Sequence, residues 1–207
     1  MGVLARADLT RFWKALAHRL PCLVRVILTG GGEAMLLGGR RPTGDLDFGV
    51  ELTPRWAHHW PDVERAIAEA AGETGVAVQY STEIDRWSPV SVPVLRRRSR
   101  RWERHGRLDV HLLDPACWAV YKLARYFDSD VQDLREVLRA EGVTSRRLAA
   151  ICGESLRASP RSPQLFSFRR QVEHFFREHG PMIWGRKFDA EGAVQGFQRA
   201  AGLRPAS

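Results

Sequence analysis

Asp45 and Asp47 stand two residues apart in DLDFGV, residues 45–50. In a strand, residues i and i+2 share a face, so both carboxylates project to one side and Leu46 and Phe48 to the other. Adjacent carboxylates repel, and such a pair stays ionised in a folded protein beside a metal cation or cationic side chains. Hard divalent cations take oxygen ligands, and magnesium uses one or two carboxylates together with substrate phosphates. A third acidic candidate, Asp109, lies in RLDVHLL (107–113), on the face opposite Leu108, Val110 and Leu112. If the two strands pair, Asp45, Asp47 and Asp109 are expected to converge on one magnesium or manganese site. Two magnesium ions held this way stabilise the attacking and leaving oxygens of an in-line displacement.

A glycine turn supplies the complementary chemistry. Gly30, Gly31 and Gly32 follow the apolar run CLVRVILT (22–29) and precede EAMLL. A strand that ends in glycines and opens a helix presents backbone N–H groups to an anion, and glycine lets a phosphate approach the chain closely. Arg40 and Arg41, just before the acidic strand, are placed to neutralise phosphate oxygens. Glu33, in the first helical turn, is the least expected residue beside a phosphate.

The elements that must position these groups follow from periodicity. A helix is expected over 8–20 with Asp8 as its N-cap, and strands over 22–29 and 45–50. A helix over 54–71 and strands over 75–81 and 107–113 follow. Residues 85–105 read as a loop or edge hairpin. Helices are expected over 115–128, 130–140, 145–157 (capped by Thr144), 163–179 (capped by Ser162) and 189–202. The fold class is α/β (α+β): a mixed β-sheet flanked by helices over residues 1–142, with an all-helical C-terminal extension over 143–207.

The pattern of apolar strand, glycine pair, short helix, 12 intervening residues and Asp-Leu-Asp resembles the nucleotidyltransferase superfamily typified by DNA polymerase beta. The matching residues are Leu28-Thr29-Gly30-Gly31-Gly32 and Asp45-Leu46-Asp47, with Asp109 in the place of the third acidic residue. Small bacterial and archaeal nucleotidyltransferase-like proteins, including those of toxin–antitoxin and abortive-infection systems, are similar in two further stretches. GRRPTGDLD supplies Arg41 and Thr43 before the aspartates, and AVYKLARYFDSDVQDL supplies Lys122, Arg125, Asp130 and Asp133. The likeness spans about residues 22–50 and 107–138. It departs at Gly32 and Glu33, where many members carry a serine that binds a triphosphate oxygen.

That resemblance implies metal-dependent transfer of a nucleoside monophosphate from an NTP to an acceptor, either RNA or tRNA or a protein side chain. It implies Asp45, Asp47 and Asp109 as catalytic and metal-holding residues. Gly30, Gly31, Gly32, Arg41, Thr43, Lys122 and Arg125 would bind the nucleotide. A cognate small partner protein is a further expectation from the same resemblance.

Other features carry weaker signals. Residues 94–107 hold seven arginines together with Trp102 and His105. Arg97, Arg98, Arg100, Arg101 and Trp102 are candidates for single-stranded RNA, because arginines with a stacking aromatic suit that ligand; a charge-blunted edge strand is the alternative. Lys122 and Arg125 share a helix face, while Asp130 and Asp133 are expected to neutralise Arg125 and Arg135. His58, His59 and His111 lack zinc-site spacing. Phe166, Phe168, Val172, Phe175 and Phe176 form a stripe suited to helix packing or to a partner.

Composition bounds the function. The chain has 207 residues, 44% hydrophobic and 27% charged, which suits a folded domain rather than a disordered one. Lys plus Arg number 32 against 24 Asp plus Glu, a net charge of +8 that favours polyanionic partners. Only Lys14, Lys122 and Lys187 are lysines, an arginine bias that partly reflects base composition. Cys22, Cys117 and Cys152 are far apart and odd in number, against a disulfide framework and in keeping with a reducing cytoplasm. No run reaches the length of a transmembrane helix, and no secretory signal is expected. Two further readings stand beside the enzyme: a non-catalytic, antitoxin-like or interaction protein on the same fold, and a basic RNA-binding module whose acidic residues are structural.

Overall fold

The computed structural model describes residues 2–84, 88–92 and 98–203. The chain divides into two compact units. The first comprises Met1–Leu36, Arg41–Ile84 and Ser99–Leu113; the second comprises Leu37–Arg40, Asp85–Arg98 and Asp114–Ser207. The expected boundary at residue 142 therefore moves to residue 114. The helices before residue 142 pack with those after it, which composition does not reveal.

The first unit is α+β. Helix α1 (Arg6–Arg19) leads into β1 (Val24–Thr29), α2 (Gly30–Leu36) and β2 (Asp45–Glu51). A 3-10 turn over Pro54–His59 precedes α3 (Trp60–Thr74), β3 (Ala77–Ser81), β4 (Ser99–His105) and β5 (Leu108–Leu113). The five strands form one mixed sheet in the order β3-β2-β1-β5-β4. β1 pairs antiparallel with β2 and parallel with β5; β2 pairs parallel with β3, and β4 antiparallel with β5. β4 is thus the edge strand foreseen within 85–105.

Alternation explains the sheet's two faces. Val26, Leu28, Leu46, Phe48, Leu108 and Val110 are fully buried, and Phe12 and Trp13 of α1 meet this face. Trp13 stands 5.3 Å from Phe48 in an edge-on contact, and Phe48 stacks on Tyr80 at 5.9 Å. Such aromatic pairs add about 0.5–1.5 kcal/mol each beyond the area they bury. The opposite face carries Asp45, Asp47 and Asp109. Asp8 is the third residue of α1, not its N-cap; its carboxylate accepts the Ala5 N–H at 2.8 Å and stabilises the helix start from there.

The second unit is helical: α4 (Pro115–Arg125), α5 (Asp128–Ala140), α6 (Ser145–Ala158), α7 (Pro163–Trp184) and α8 (Ala190–Ala200). Phe168, Val172, Phe175 and Phe176 of the α7 stripe are fully buried, whereas Phe166 is 73% exposed and leaves the core. α6 and α8 approach closely at Gly153, where an added Cβ would stand 2.7 Å from the Phe197 carbonyl. Thr144 caps α6 as expected, accepting the Arg147 N–H; Ser162 occupies the α7 N-cap position without a side-chain hydrogen bond. Cys22, Cys117 and Cys152 are free, buried thiols. Burial pushes Cys117 up to about 12, so it is an inert packing residue. Among the described residues no helix is long and apolar enough to cross a membrane.

Candidate functional site

Strand β2 sets the geometry of the acidic pair. Asp45 and Asp47 are half-buried, while Leu46 and Phe48 between and beyond them are fully buried on the other face. The pleat separates the two carboxylate-bearing positions by about 6.6 Å along the strand. Asp47 pairs across the sheet with Thr29, the residue that leads into Gly30.

The glycines permit a close approach of α2 to the segment around β2. Gly30 adopts φ +64°, a left-handed conformation that disfavours other residues, and an added Cβ would stand 2.9 Å from the Asp47 carboxyl carbon. A Cβ on Gly31 would stand 2.6 Å from the Thr43 hydroxyl and 3.6 Å from the Arg41 guanidinium. At Gly32 the obstacle is Leu46 Cδ1, at 2.9 Å. The run of three is therefore required by packing whether or not a phosphate binds. It brings the turn, Arg41, Thr43 and Asp47 to one place.

Asp45 is held from two sides. The Thr43 hydroxyl lies 3.2 Å from Asp45 Oδ1, and Gln79 Nε2 donates to Oδ2 at 2.9 Å. Thr43 is 7% exposed, and its carbonyl accepts the Leu4 N–H, so it is fixed by the chain before α1. Its role here is to orient Asp45. Gln79 escapes a reading of the sequence because it comes from β3, through the parallel pairing that sets Gln79 opposite Asp47. Its signal is a lone polar residue within the otherwise apolar GVAV run and Tyr80.

The structure does not bring Asp109 to the pair. β5 runs parallel to β1, and Asp109 pairs with Arg25 at the start of β1, whereas Asp47 pairs with Thr29 at its end. Four residues along the strand and two strand spacings across it place Asp109 about 16 Å from Asp47. The expected convergence of three carboxylates is corrected by this register. Asp109 instead joins a charged row at the far end of the sheet: Arg101 Nη2 lies 3.0 Å and Arg104 Nε 3.6 Å from its carboxylate, beside Arg25 and Glu51 at 3.6 Å. Among the described residues no group of three or more His, Cys, Asp or Glu side chains is arranged to hold a metal.

Glu33 resolves the oddity of an acid in the glycine turn. It is fully buried, and its carboxylate accepts the backbone N–H of Leu113. It ties α2 to the end of β5 rather than facing a ligand. His111, also on β5, is 8% exposed with Nδ1 3.3 Å from the Ser99 hydroxyl; burial holds its imidazole below the ordinary range, as a neutral packing residue.

Lys122 lies in the helical unit, and its nucleotide-binding role is corrected as well. Its ammonium is 3.0 Å from Asp130 and 2.7 Å from Asp133, and all three side chains are at most 2% exposed. It also lies over the Trp118 ring at 5.4 Å. A buried lysine directing its donors at two carboxylates of its own unit is neither a surface lysine nor a free phosphate ligand. Arg125 remains half-exposed while donating to Asp130 at 2.7 Å. Asp130 thus neutralises Arg125 as expected, but Lys122 is the principal partner of both aspartates.

The arginine run is partly neutralised. Arg98 pairs with Glu154 at 2.9 Å and Arg101 with Asp109, while Arg6 lies over the Trp102 ring at 5.8 Å. Arg100 is exposed on β4, and Arg97 lies outside the described residues. β4 therefore reads as an edge strand blunted by charge.

No family model, no curated protein and no solved structure matches the chain.

Proposed function

We propose that the protein binds a magnesium–nucleoside triphosphate at Asp45 and Asp47 and transfers the nucleoside monophosphate to an acceptor hydroxyl. The observation that carries this reading is the Asp47 carboxylate set against Gly30, with Asp45 on the same strand face and the Arg41 guanidinium beside Gly31. The donor chemistry fits a hard divalent cation: carboxylate oxygens set side by side, with Thr43 and Gln79 holding one of them in place. Bound magnesium supplies charge neutralisation at the phosphates. In the reaction the acceptor oxygen forms a bond to the α-phosphorus as its proton passes to water, the bond to the β-phosphate oxygen breaks, and pyrophosphate leaves with the electron pair. Asp45 and Asp47 fix the position of the phosphates, and Arg41 offsets their charge. RNA, tRNA and a protein side chain all offer the required hydroxyl.

A second reading has its own observation. With Asp109 displaced, no third carboxylate among the described residues joins the pair to accept the acceptor's proton, which favours nucleotide binding without transfer. One assay separates the two. Each α-labelled NTP is incubated with the protein and magnesium or manganese, with bulk RNA, with tRNA or with no added acceptor. Metal-dependent labelling of an acceptor is the expected result. Metal-dependent binding with no labelled acceptor selects the second reading, and absence of both discards the site.

Asp109 provides an internal control. Asp109→Asn is expected to retain transfer and to cost about 1 kcal/mol of stability or less, as for exposed ion pairs. Loss of transfer in that variant with an unchanged unfolding curve would restore Asp109 to the chemistry.

A further inference from the structure

We infer that the helical unit carries a docking groove for a short acidic segment with apolar anchors, supplied by a partner polypeptide. The groove, about 480 Å³, lies where the C-terminal ends of α6 and α8 meet the start of α7. Leu165, Phe166 and Leu203 contribute its apolar surface, and Arg157, Arg161 and Arg169 its charge. This inference is independent of the nucleotide site, which lies in the other unit.

Phe166 is the first observation. It is 73% exposed, while its neighbours Leu165 and Phe168 are 9% and 0% exposed. A phenylalanine left in water forgoes the burial that its neighbours gain. Aromatic side chains, phenylalanine among them, are enriched at the centre of protein interfaces.

Charge selects the occupant. Among the described residues Arg157 and Arg161 have no ion pair or side-chain hydrogen bond, and Arg169 pairs with Glu173 at 3.0 Å. Among the described residues no carboxylate lines this groove. Two other grooves differ: one is lined by Asp62 and Glu69 beside Arg19 and Arg65, another by Asp189 beside Arg146 and Arg199. Of these three, the Phe166 groove is the one whose described lining holds arginines and no carboxylate, so its positive charge is the least offset. Its complement carries carboxylates next to leucine, phenylalanine or tryptophan.

Size and lining narrow the choice further. A stable globular interface buries about 1,600 Å² in total, whereas a groove in the range of about 300–1,000 Å³ suits a short segment. A single-stranded nucleic acid binds along a cationic track with several stacking aromatics. Here the described apolar lining is largely aliphatic, with Phe166 its one aromatic, so successive bases would find no series of stacking partners.

The test uses the full chain. A random 16-residue peptide library displayed on phage is selected on immobilised protein, and the enriched sequence is synthesised with a fluorescent label. Its binding is then titrated by polarisation against the wild-type chain, Arg157→Glu/Arg161→Glu and Phe166→Ala. These side chains are exposed or at the groove's rim, and circular dichroism checks that each variant keeps the wild-type fold. The expected result is a consensus combining Asp or Glu with large apolar residues, bound about tenfold more weakly by each variant and more weakly in higher salt. Four outcomes would overturn it. They are failure to enrich any sequence, a consensus without acidic residues, binding unchanged in the variants, and displacement of the peptide by oligouridylate. A dimer in light scattering that Arg157→Glu/Arg161→Glu dissolves would assign the groove to a second copy of the chain instead.

Discussion

Asp47→Asn is expected to lower metal-dependent transfer by about 10²–10³-fold, the scale of losing one preorganised electrostatic group at a phosphoryl or acyl transition state. The substitution keeps the side-chain volume, so the tight approach at Gly30 is preserved and the thermal unfolding curve should not move. What changes is charge. An amide oxygen is a weaker ligand for a hard cation than a carboxylate oxygen, so the magnesium concentration for half-maximal activity should rise. That shift distinguishes a metal-holding role from a structural one, which would move the unfolding midpoint and leave the metal dependence alone. Transfer unaffected by Asp47→Asn would remove the acidic pair from the chemistry.

The largest stability effect is expected in the helical unit. Lys122→Met removes the buried ammonium that lies between Asp130 and Asp133, both 1% exposed. Breaking a buried pair from one side costs about 3–5 kcal/mol, because the remaining charge is stranded. That is a large share of the 5–15 kcal/mol by which a domain is stable. Urea unfolding of the full chain should show this loss as a lower midpoint. Lys122→Met combined with Asp130→Asn and Asp133→Asn should recover much of it, since the buried charges are then gone together. A midpoint unchanged by Lys122→Met alone would show that the cluster contributes nothing to folding.

The contrast between these two clusters shows what was legible in the sequence. Asp45 and Asp47 share a face by strand alternation, and through chain proximity Thr43 reaches Asp45 and Arg41 reaches the turn at Gly31. Local periodicity was therefore enough, and the strand-turn-helix-strand run from β1 to β2 followed from it. Asp109 was misplaced because its distance from the pair depends on strand register. β5 is parallel to β1 while β2 is antiparallel to it, which sends Asp109 and Asp47 to opposite ends of the sheet. Gln79 was missed for the same reason. Lys122 stood out by its rarity, and its partners Asp130 and Asp133 were in view. The helix turn at Tyr126, whose φ of 59° folds α5 back against α4, brings the three together, and no glycine or proline there announces it. Phe166 looked like one more member of a packing stripe, because helical spacing alone does not say which member of the stripe faces away from the core.

The most direct measurement is anomalous diffraction from crystals grown with manganese and a non-hydrolysable nucleoside triphosphate analogue. The expected map places manganese about 2.1 Å from carboxylate oxygens of both Asp45 and Asp47, with the phosphates against the Gly30–Gly32 turn and Arg41. Manganese and phosphates bound elsewhere, with the two carboxylates contacting neither, would contradict the proposed nucleotide site.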